Sequence, residues 1–569
     1  MATRPSELAY AVDERPPWPK LVALGLQHTF LICVYLVLVA IVAKDAAASH
    51  DATLNVISLG MIGLAIGAML QAQRAGPIGS GYLAVPVFSA IYLGPSVLAA
   101  KAGGLPAVFG MTVFAGAVEI VLSLSLHRLR PIFPPAVSGF VVCIVGIELG
   151  LVGMDHTLAV EAYGHPGFAS HMAAALLTLA VSIGLSIWGR GPLRLVCSLI
   201  GLSSGLAAAF LLGLIPAPSL RALENASWLS LPQLDTLSYS FDPLLVPAFL
   251  AAGVAAALRT IGVVTTCQRI NDADWKRPDM RTIQGGVFAD GLGCAIGGLL
   301  GAPGMSAGPS LVGVSKATGA TSRYIAYACG GILIAMALVP KFAALFLMIP
   351  LSVAGGMLVF TGAFMIAGGI QVMVSRSIDT RMTYVIGISF LLGLSRLVYP
   401  DYFDDLPRYM QVVTGSTLAR GIASAVGLTL LFRLGLRRGE VLPLEASGAT
   451  SADLDCFLRK EGKAWKIDPE VIDRATSSIA HAISHLQEAH LMEKPVTLGA
   501  SYDGTDLAIE LQYEGSSPSL PDLRLPERDL AEEEASSHGL TSFLSGVYAD
   551  RIASSRKGSL ASLRLYFAA

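Results

Sequence analysis

The sequence predicts an all-α, polytopic membrane protein with a small cytosolic α+β domain at its C-terminal end. Hydrophobic residues make up 53% of the chain and charged residues only 14%, whereas an ordinary soluble domain carries about 25% charged residues. Apolar stretches of about 20 residues, the length that a helix needs to cross a bilayer, recur along most of the chain. After residue 440 the composition becomes that of a soluble protein.

Fourteen spans are predicted, in two groups of seven. The first group lies near residues 21–43, 52–73, 82–100, 105–125, 136–153, 169–188 and 193–215. The second group follows a polar stretch and lies near residues 245–267, 285–302, 308–320, 324–348, 352–373, 382–398 and 416–436. Residues 1–20 are predicted to be a cytosolic N-terminal segment.

Positive charge in the loops predicts the orientation. Arg and Lys gather in alternate loops, for example Arg128 and Arg130 after the fourth span and Arg277 and Arg281 after the eighth. Short cytoplasmic loops collect such residues, so both termini are expected in the cytoplasm, with the chain in the inner or plasma membrane and in contact with lipid. The charged N-terminal segment lacks an apolar h-region, so no cleavable signal peptide is expected.

Charge and cysteine content disfavour several other classes. The formal net charge of -2 includes no basic excess that would indicate a nucleic-acid partner. The seven cysteines are scattered and form no CxxC pair, which argues against a metal site or a disulfide framework. We therefore expect neither a cofactor nor an enzyme.

The third and tenth spans are interrupted by Gly and Pro. GPIGSGYLAVP (76–86) and GAPGMSAGPS (301–310) occupy corresponding positions in the two groups of spans. Irregular backbone at membrane depth is tolerated only where protein covers it or where it lines a cavity. Such paired half-helix spans point to a substrate site between inverted repeats. Glycine-rich packing seams are the alternative interpretation.

Four stretches resemble the nucleobase-ascorbate transporter (xanthine/uracil permease) family. LGLQH (24–28) resembles the Gln-His of its first helix, and RLRPIFPPAVSGFVVCIVGIEL (128–149), which contains Pro134 and Pro135, resembles its fifth helix. GGVFADGLGCAIGGLLG (285–301) is similar to the ninth helix, and IPLSVAGGMLVFTGAFMIAGGIQVM (349–373) to the twelfth. In order and spacing the match extends through nearly all of residues 20–438, and we place the transmembrane transporter domain at 21–438.

The resemblance implies a seven-plus-seven inverted repeat. Spans 1 to 4 and 8 to 11 would form a core domain, and the other spans a gate domain. In that family the core carries a purine, a pyrimidine or ascorbate past the gate in an elevator-like movement, commonly driven by a proton or sodium gradient. A homodimer is also expected.

The resemblance places several substrate-binding positions, and some of them depart from the family pattern. The family's tenth-span signature falls on Ser310, Leu311, Gly313, Thr318 and Gly319. The last three positions agree with the signature, whereas Ser310 stands where the family has a nucleobase-binding Gln or Glu and Leu311 where it has Asn. In the eighth span, Arg259 replaces the glutamate that hydrogen-bonds the base.

Arg259 reverses the chemistry of that position. A carboxylate accepts bonds from ring N–H groups, whereas a guanidinium has five donors and no acceptor. Arg259 therefore favours an anionic or acceptor-rich ligand. An arginine at a helix centre costs about 2.5 to 3.5 kcal/mol on insertion scales, which makes it a functional candidate. The alternative is a structural ion pair with Asp290, which matches the family's ninth-helix acid.

Three further features belong to the predicted site. His28 matches a family histidine and, because its unperturbed pKa is about 6.5, could take part in proton coupling; a structural role is the alternative. Tyr82 lies where the family places an aromatic residue beside the ligand. The helix N-terminus near Ser310 would attract anionic oxygen, since it carries partial positive charge.

The C-terminal region is predicted to comprise a linker, 439–466, and an α+β domain, 467–569. A helix is predicted over 468–490, strands over 495–503 and 506–515, a second helix over 539–552 and a closing strand over 558–568. This order resembles the histidine-kinase-like ATPase fold of anti-sigma-factor kinases. His481 stands at the Mg-binding Asn position and Tyr513 at the Asp of the Asp-x-Gly box, so a degenerate regulatory or dimerisation domain is expected.

Three hypotheses for function follow. The leading one is a proton- or ion-coupled transporter of a planar heterocycle, with Arg259 favouring an anionic one such as an oxidised purine. The second is a ligand sensor that signals through the C-terminal domain. The third is an organic or inorganic anion transporter of the related sulfate-permease architecture, which Arg259 also suits.

Overall fold

Apolar helices follow one another along the chain as far as Arg433. The computed structural model describes residues 4–6, 8–74, 76–129, 135–158, 167–190, 193, 197–215, 217–235, 237–273, 279–374, 378, 380–406, 416–433, 438–443, 451–465, 467–488, 490–502, 506–516, 549, 551–557 and 560–568. The chain divides into two units, residues 2–427 and residues 428–569.

Within its described residues, the first half of the helical unit contains seven helices. They are α1 (Trp18–Val34), α2 (Leu36–Asp45), α3 (His50–Ala72), α4 (Ala90–Leu129), α5 (Pro135–Leu158), α6 (Phe168–Trp188) and α7 (Cys197–Leu211). Local sequence sets several of their ends. For example, the Ser49 hydroxyl accepts a hydrogen bond from the Ala52 N–H and caps α3, whose first turn also carries Asp51.

The second half follows the short helix α8 (Ala217–Asn225) and a 3-10 turn (Pro243–Leu245). Its helices are α9 (Val246–Asn271), α10 (Met280–Leu299), α11 (Pro309–Thr318), α12 (Tyr324–Ala337), α13 (Pro340–Leu347), α14 (Leu351–Met373), α15 (Thr380–Val398), α16 (Pro400–Asp404) and α17 (Thr417–Arg433).

The number of membrane crossings stays a prediction. Among the described residues, 8 helices are long and apolar enough to span a membrane, or up to 9 if α12 and α13, bent by 89°, count as one. The spans predicted at 82–100 and 105–125 lie in one element, α4, with a kink where Gly103 and Gly104 leave helical geometry. The apolar helices Cys197–Leu211 and Thr417–Phe432 are shorter than a full span.

The third and tenth predicted spans are interrupted, as the sequence predicts. Each begins as a short strand, β1 (Pro86–Phe88) or β2 (Met305–Ala307), which leads into α4 or α11 respectively. The strands pair antiparallel, with Val87 opposite Ser306. Backbone N–H and C=O groups at membrane depth must be hydrogen-bonded within the protein. The pairing of β1 with β2 provides such bonds where the helices are interrupted.

Pairs of glycines lie at the contact between α5 and α14. A Cβ atom on Gly146 would lie 2.9 Å from the carbonyl oxygen of Gly362, and the corresponding distance is 2.6 Å from Gly139 to Gly369 and 2.8 Å from Gly153 to Gly355. The residue numbers of these pairs rise along α5 as they fall along α14, so the two helices are antiparallel. Small residues are the usual means of close helix approach in membranes. Larger residues at these positions would push the helices apart.

The N-terminal segment binds the helical unit through backbone and charge. Tyr10 forms a parallel bridge with Ala320. The Asp13 carboxylate accepts from Arg74 at 2.8 Å and from Arg323 at 3.2 Å. Arg74 follows α3 and Arg323 precedes α12, so the segment connects elements from both halves of the unit.

The second unit contains a five-stranded antiparallel sheet. Its strands are β3 (Arg438–Pro443), β4 (Met492–Tyr502), β5 (Asp506–Gly515), β6 (Arg551–Lys557) and β7 (Leu560–Ala568), in the order β3-β4-β5-β7-β6. Two helices, α18 (Ser451–Trp465) and α19 (Pro469–Glu488), share a buried core with the sheet.

Two predictions for this unit are wrong. The segment predicted as a linker, 439–466, contains most of β3, which pairs with β4, and all of α18, whose Leu454 and Leu458 are buried. Arg551 and Ile552, predicted as helix, begin β6, because pairing with β7 outweighs their local preference. Residues 539–548 and 550 of that predicted helix lie outside the described residues. The resemblance to an ATPase stays a prediction.

Candidate functional site

The candidate site lies where β1 and β2 meet. Because these strands are antiparallel, α4 and α11 leave the centre in opposite directions and both present their N-termini to it. Ser89 accepts from the Ile91 N–H at the start of α4. At the start of α11, Gly308 provides no side-chain cap. The first N–H groups of α11 therefore leave partial positive charge at Ser310.

Arg259 reaches this centre from α9. Its Nη1 donates to the Ser89 hydroxyl at 2.8 Å. Its Nε is buried and has no acceptor among the described residues. The side chain as a whole is half-buried, and Tyr35 lies near enough to interact with its charge. Arg259 thus has one donor in use and another, buried, that is free to bind a ligand.

Tyr35 and Ser310 complete this face of the site. Tyr35 lies at the break between α1 and α2, and its hydroxyl and that of Ser310 are 3.1 Å apart. Ser310 is exposed. The predicted residues Arg259 and Ser310 therefore lie in one region, where α1, β1, α9 and α11 meet, and the region offers hydroxyl groups, a guanidinium and a helix N-terminus.

Asp290 lies behind this face, on α10. It accepts from the Thr260 hydroxyl at 2.6 Å and from the Ala307 N–H at 2.9 Å. Arg259 acts on Asp290 through its charge, but the hydrogen bonds of Asp290 come from Thr260 and from strand β2. Asp290 consequently orients α9 and β2 as well as compensating the charge of Arg259.

The remaining residues of the tenth-span signature are placed along α11. Leu311 is completely buried, whereas Gly313 is exposed and has no heavy atom within 4 Å of a built Cβ. Thr318 donates to the carbonyl of Val314, and Gly319 ends the helix in the left-handed conformation at φ 65°. Leu311 thus contributes to packing, and Thr318 and Gly319 terminate the helix.

His28 and Tyr82 make contacts with residues other than Arg259. His28 is buried, with Nδ1 2.9 Å from the Leu24 carbonyl oxygen and Nε2 3.2 Å from the Ser315 hydroxyl, so it connects α1 with α11. The side chain of Tyr82 packs against two apolar clusters, one that contains Val263 and Cys267 and one that contains Val264. Pro135 begins α5, and Pro134 lies outside the described residues.

Four groups in or behind the site are not predicted from the sequence. Ser89 and Tyr35 carry no distinctive motif, and only the fold brings them to Arg259. Glu119 and Tyr92, both on α4 and fully buried, lie behind Asp290, with the Tyr92 hydroxyl donating to Glu119. Glu119 could have been found, because a lone acid within an apolar span is a functional candidate by default.

The fold and the site define a polytopic membrane transporter, with paired half-helices around a polar centre. The chain belongs to the xanthine/uracil permease family: the family model Xan_ur_permease, described as a permease family, matches residues 19–402. Family membership makes the chain a multi-pass transporter and not an enzyme, and confirms the family resemblance predicted from the sequence.

Individual relatives match along most of their length. The xanthine permease XanQ of Escherichia coli (strain K12) is 28% identical over 469 residues, which cover 79% of this chain and 98% of the relative. The uric acid permease PucK of Bacillus subtilis (strain 168) is 28% identical over 419 residues, 73% of this chain and 96% of the relative. Among solved structures, the transmembrane domain of the cyanobacterium bicarbonate transporter BicA matches with a TM-score of 0.45 and 14% identity, over 72% of this chain and 96% of that chain.

Proposed function

We propose that this protein is a secondary active transporter of a nucleobase-like heterocycle and that it prefers an anionic one, such as an oxidised purine. The family supports the general class of cargo, since the relatives named above are permeases for xanthine and uric acid. The preference for an anion rests on Arg259.

The free Nε of Arg259 carries this preference. A buried donor left without an acceptor costs about 1 to 3 kcal/mol, and a ligand that brings an oxygen or ring nitrogen to Nε recovers this free energy. Charge-assisted bonds from a guanidinium are stronger when the acceptor is anionic. A urate-like anion supplies both the acceptor atoms and the charge, whereas a neutral base supplies only the acceptors.

An elevator movement is supported by the closed geometry of the site. A cavity of about 10 Å³ lies beside Tyr35 and Ala90 on one side and Leu149 and Met357 on the other. That volume holds about one water molecule, so a heterocycle enters only after α1 and α4 have separated from α5 and α14. We accordingly assign α1 to α4 and α9 to α13 to a moving core and the other helices to a gate.

The remaining features of the proposal come from the sequence. The loop charges favour cytoplasmic N- and C-termini, and the family resemblance favours a homodimer. We take a proton to be the coupling ion. The C-terminal unit is proposed to regulate or dimerise the transporter.

Uptake by purified protein in proteoliposomes tests the proposal. Urate, xanthine, uracil, ascorbate, sulfate and small carboxylates would be compared for wild type, Arg259→Glu and the matched control Arg269→Gln, an exposed arginine on the same helix. Loss of a charge-assisted bond worth about 1.5 to 3 kcal/mol predicts that Arg259→Glu takes up urate about 10- to 100-fold more slowly while retaining uptake of a neutral base. Arg269→Gln should resemble wild type.

The alternative functions predict different results in this uptake assay. Uptake of sulfate or carboxylates without purines would favour an anion transporter. Ligand binding without any uptake would favour a sensor. Unchanged urate uptake by Arg259→Glu would remove Arg259 from the binding site.

A further inference from the structure

Two acidic side chains meet inside the helical unit, behind the candidate substrate site. Glu119 on α4 is 0% exposed and Asp290 on α10 is 3% exposed, and their carboxyl groups lie within hydrogen-bonding reach of each other. We propose that Glu119 and Asp290 form a proton-binding pair, in which Glu119 holds the proton that crosses the membrane with the substrate. The transport part of this inference rests on the proposed function.

Both carboxyl oxygens of Asp290 have hydrogen-bond donors. One of its oxygens accepts from the Thr260 hydroxyl and the other from the Ala307 N–H. The positive charge of Arg259 acts on it in addition. Hydrogen bonds and a nearby cation together stabilise a buried negative charge.

Glu119 has the opposite surroundings. Its Oε1 accepts from the Tyr92 hydroxyl, but its Oε2 is buried and has no donor among the described residues. An ionised carboxylate in that position would have an unsolvated oxygen facing a second negative charge, which is strongly unfavourable. A proton on Oε2 removes this charge and provides the donor for a hydrogen bond to Asp290. Two adjacent buried carboxyl groups commonly share one proton in this way.

Helix packing enforces the contact between the two acids. A Cβ atom on Gly291 would lie 2.7 Å from the Cβ of Glu119, and one on Gly116 would lie 2.5 Å from the Ala295 nitrogen. These glycines let α4 and α10 approach more closely than side chains allow. The backbone positions that carry the two acids therefore stay close together unless the two helices move apart.

Few titratable groups act on Glu119. Tyr92 comes from α4 itself, and Asp290 and Cys294 come from α10. Arg259 on α9 acts on Asp290. The proton on Glu119 thus determines the net charge of a small buried group that extends to the substrate site.

Charge balance connects proton binding to substrate binding. With Glu119 protonated, the charges of Arg259 and Asp290 cancel; without the proton the three groups carry one negative charge. An anionic substrate at Arg259 therefore binds next to groups with no net charge when Glu119 is protonated, and next to groups with one net negative charge when Glu119 is deprotonated. Proton and anion consequently favour each other's binding, and this coupling is reciprocal.

Uptake driven by a pH gradient tests the transport role. One proton per substrate molecule predicts about tenfold accumulation of urate for each unit of pH difference. In Glu119→Gln, the amide keeps an oxygen for Tyr92 and an N–H for Asp290, so substrate exchange at equal pH should persist while accumulation driven by the pH gradient is lost. Wild-type uptake that follows a sodium gradient and ignores pH, or full pH-driven accumulation by Glu119→Gln, would overturn the inference.

Infrared spectroscopy tests the protonation without any substrate. At neutral pH the wild-type protein should show the C=O stretching band of a buried carboxylic acid, and Glu119→Gln should lack that band. Absence of the band from wild type would refute the carboxyl pair even if urate is transported. If the band is present but no purine is taken up, the pair stands and the proposed function fails.

Glu148 provides a matched control within the membrane. Its carboxyl oxygens have donors that the free Glu119 oxygen lacks, namely the Thr417 hydroxyl and the Leu418 N–H, and the charge of Arg420 acts on it. Glu148→Gln should therefore retain the carboxylic-acid band and the response to the pH gradient. Loss of the band in this variant would assign the proton to Glu148 and overturn the assignment to Glu119.

Discussion

The glycine contact between α5 and α14 predicts that adding a single methyl group at Gly362 destabilises the helical unit. The built Cβ of Gly362 lies 2.7 Å from the Gly146 carbonyl oxygen and 2.8 Å from the Gly150 nitrogen. Carbon atoms prefer separations of about 3.5 to 4.0 Å, and because both neighbours are backbone atoms the helices themselves must move. Overpacking of this kind costs about 1 to 3 kcal/mol.

Gly368 offers the matched control on the same helix, because nothing lies within 4 Å of its built Cβ. Both Gly→Ala changes gain about 1 kcal/mol of helix propensity, so the difference between them isolates the contact. Gly362→Ala should therefore unfold about 1 to 3 kcal/mol more readily than Gly368→Ala in a detergent-denaturation titration. Equal stability of the two variants would refute the close approach of α5 and α14.

Two further predictions concern the tail and the N-terminal segment. Leu563 is 0% exposed in the core of the C-terminal unit, so Leu563→Ala should destabilise that unit by about 2 to 5 kcal/mol. Limited proteolysis of the full chain should then cleave this unit faster than in wild type. The control Leu560→Ala changes a side chain that is 40% exposed and should resemble wild type. Asp13→Asn removes ion pairs to Arg74 and Arg323, each worth about 0 to 1 kcal/mol at such exposed positions. Residues 8–14 should exchange their amide hydrogens faster in this variant than in the control Asp51→Asn, and an unchanged rate would mean that the backbone bridge at Tyr10 suffices to hold the segment.

The helices of the membrane unit and the interruptions of the third and tenth spans were predictable from sequence. Bilayer thickness demands long apolar runs, and free backbone groups are excluded from lipid. Both features can therefore be recognised from short stretches of sequence. The tail was harder to predict. Helix α18 was assigned to a linker although Leu454, Phe457 and Leu458 follow helical spacing, and β6 depends on pairing with β7, which no local pattern reveals.

Residue types and their positions along the chain were enough to indicate a membrane transporter of this family and to single out Arg259 and Asp290. The partners of these residues were decided by tertiary structure. Ser89 is 170 residues from Arg259 in the chain. Hydrogen bonds, buried donors and shared protons depend on atoms within a few ångströms, and only the folded chain brings such atoms together. For that reason the charge at Arg259 was visible in the sequence, whereas the carboxyl pair behind it was visible only once α4 lay against α10.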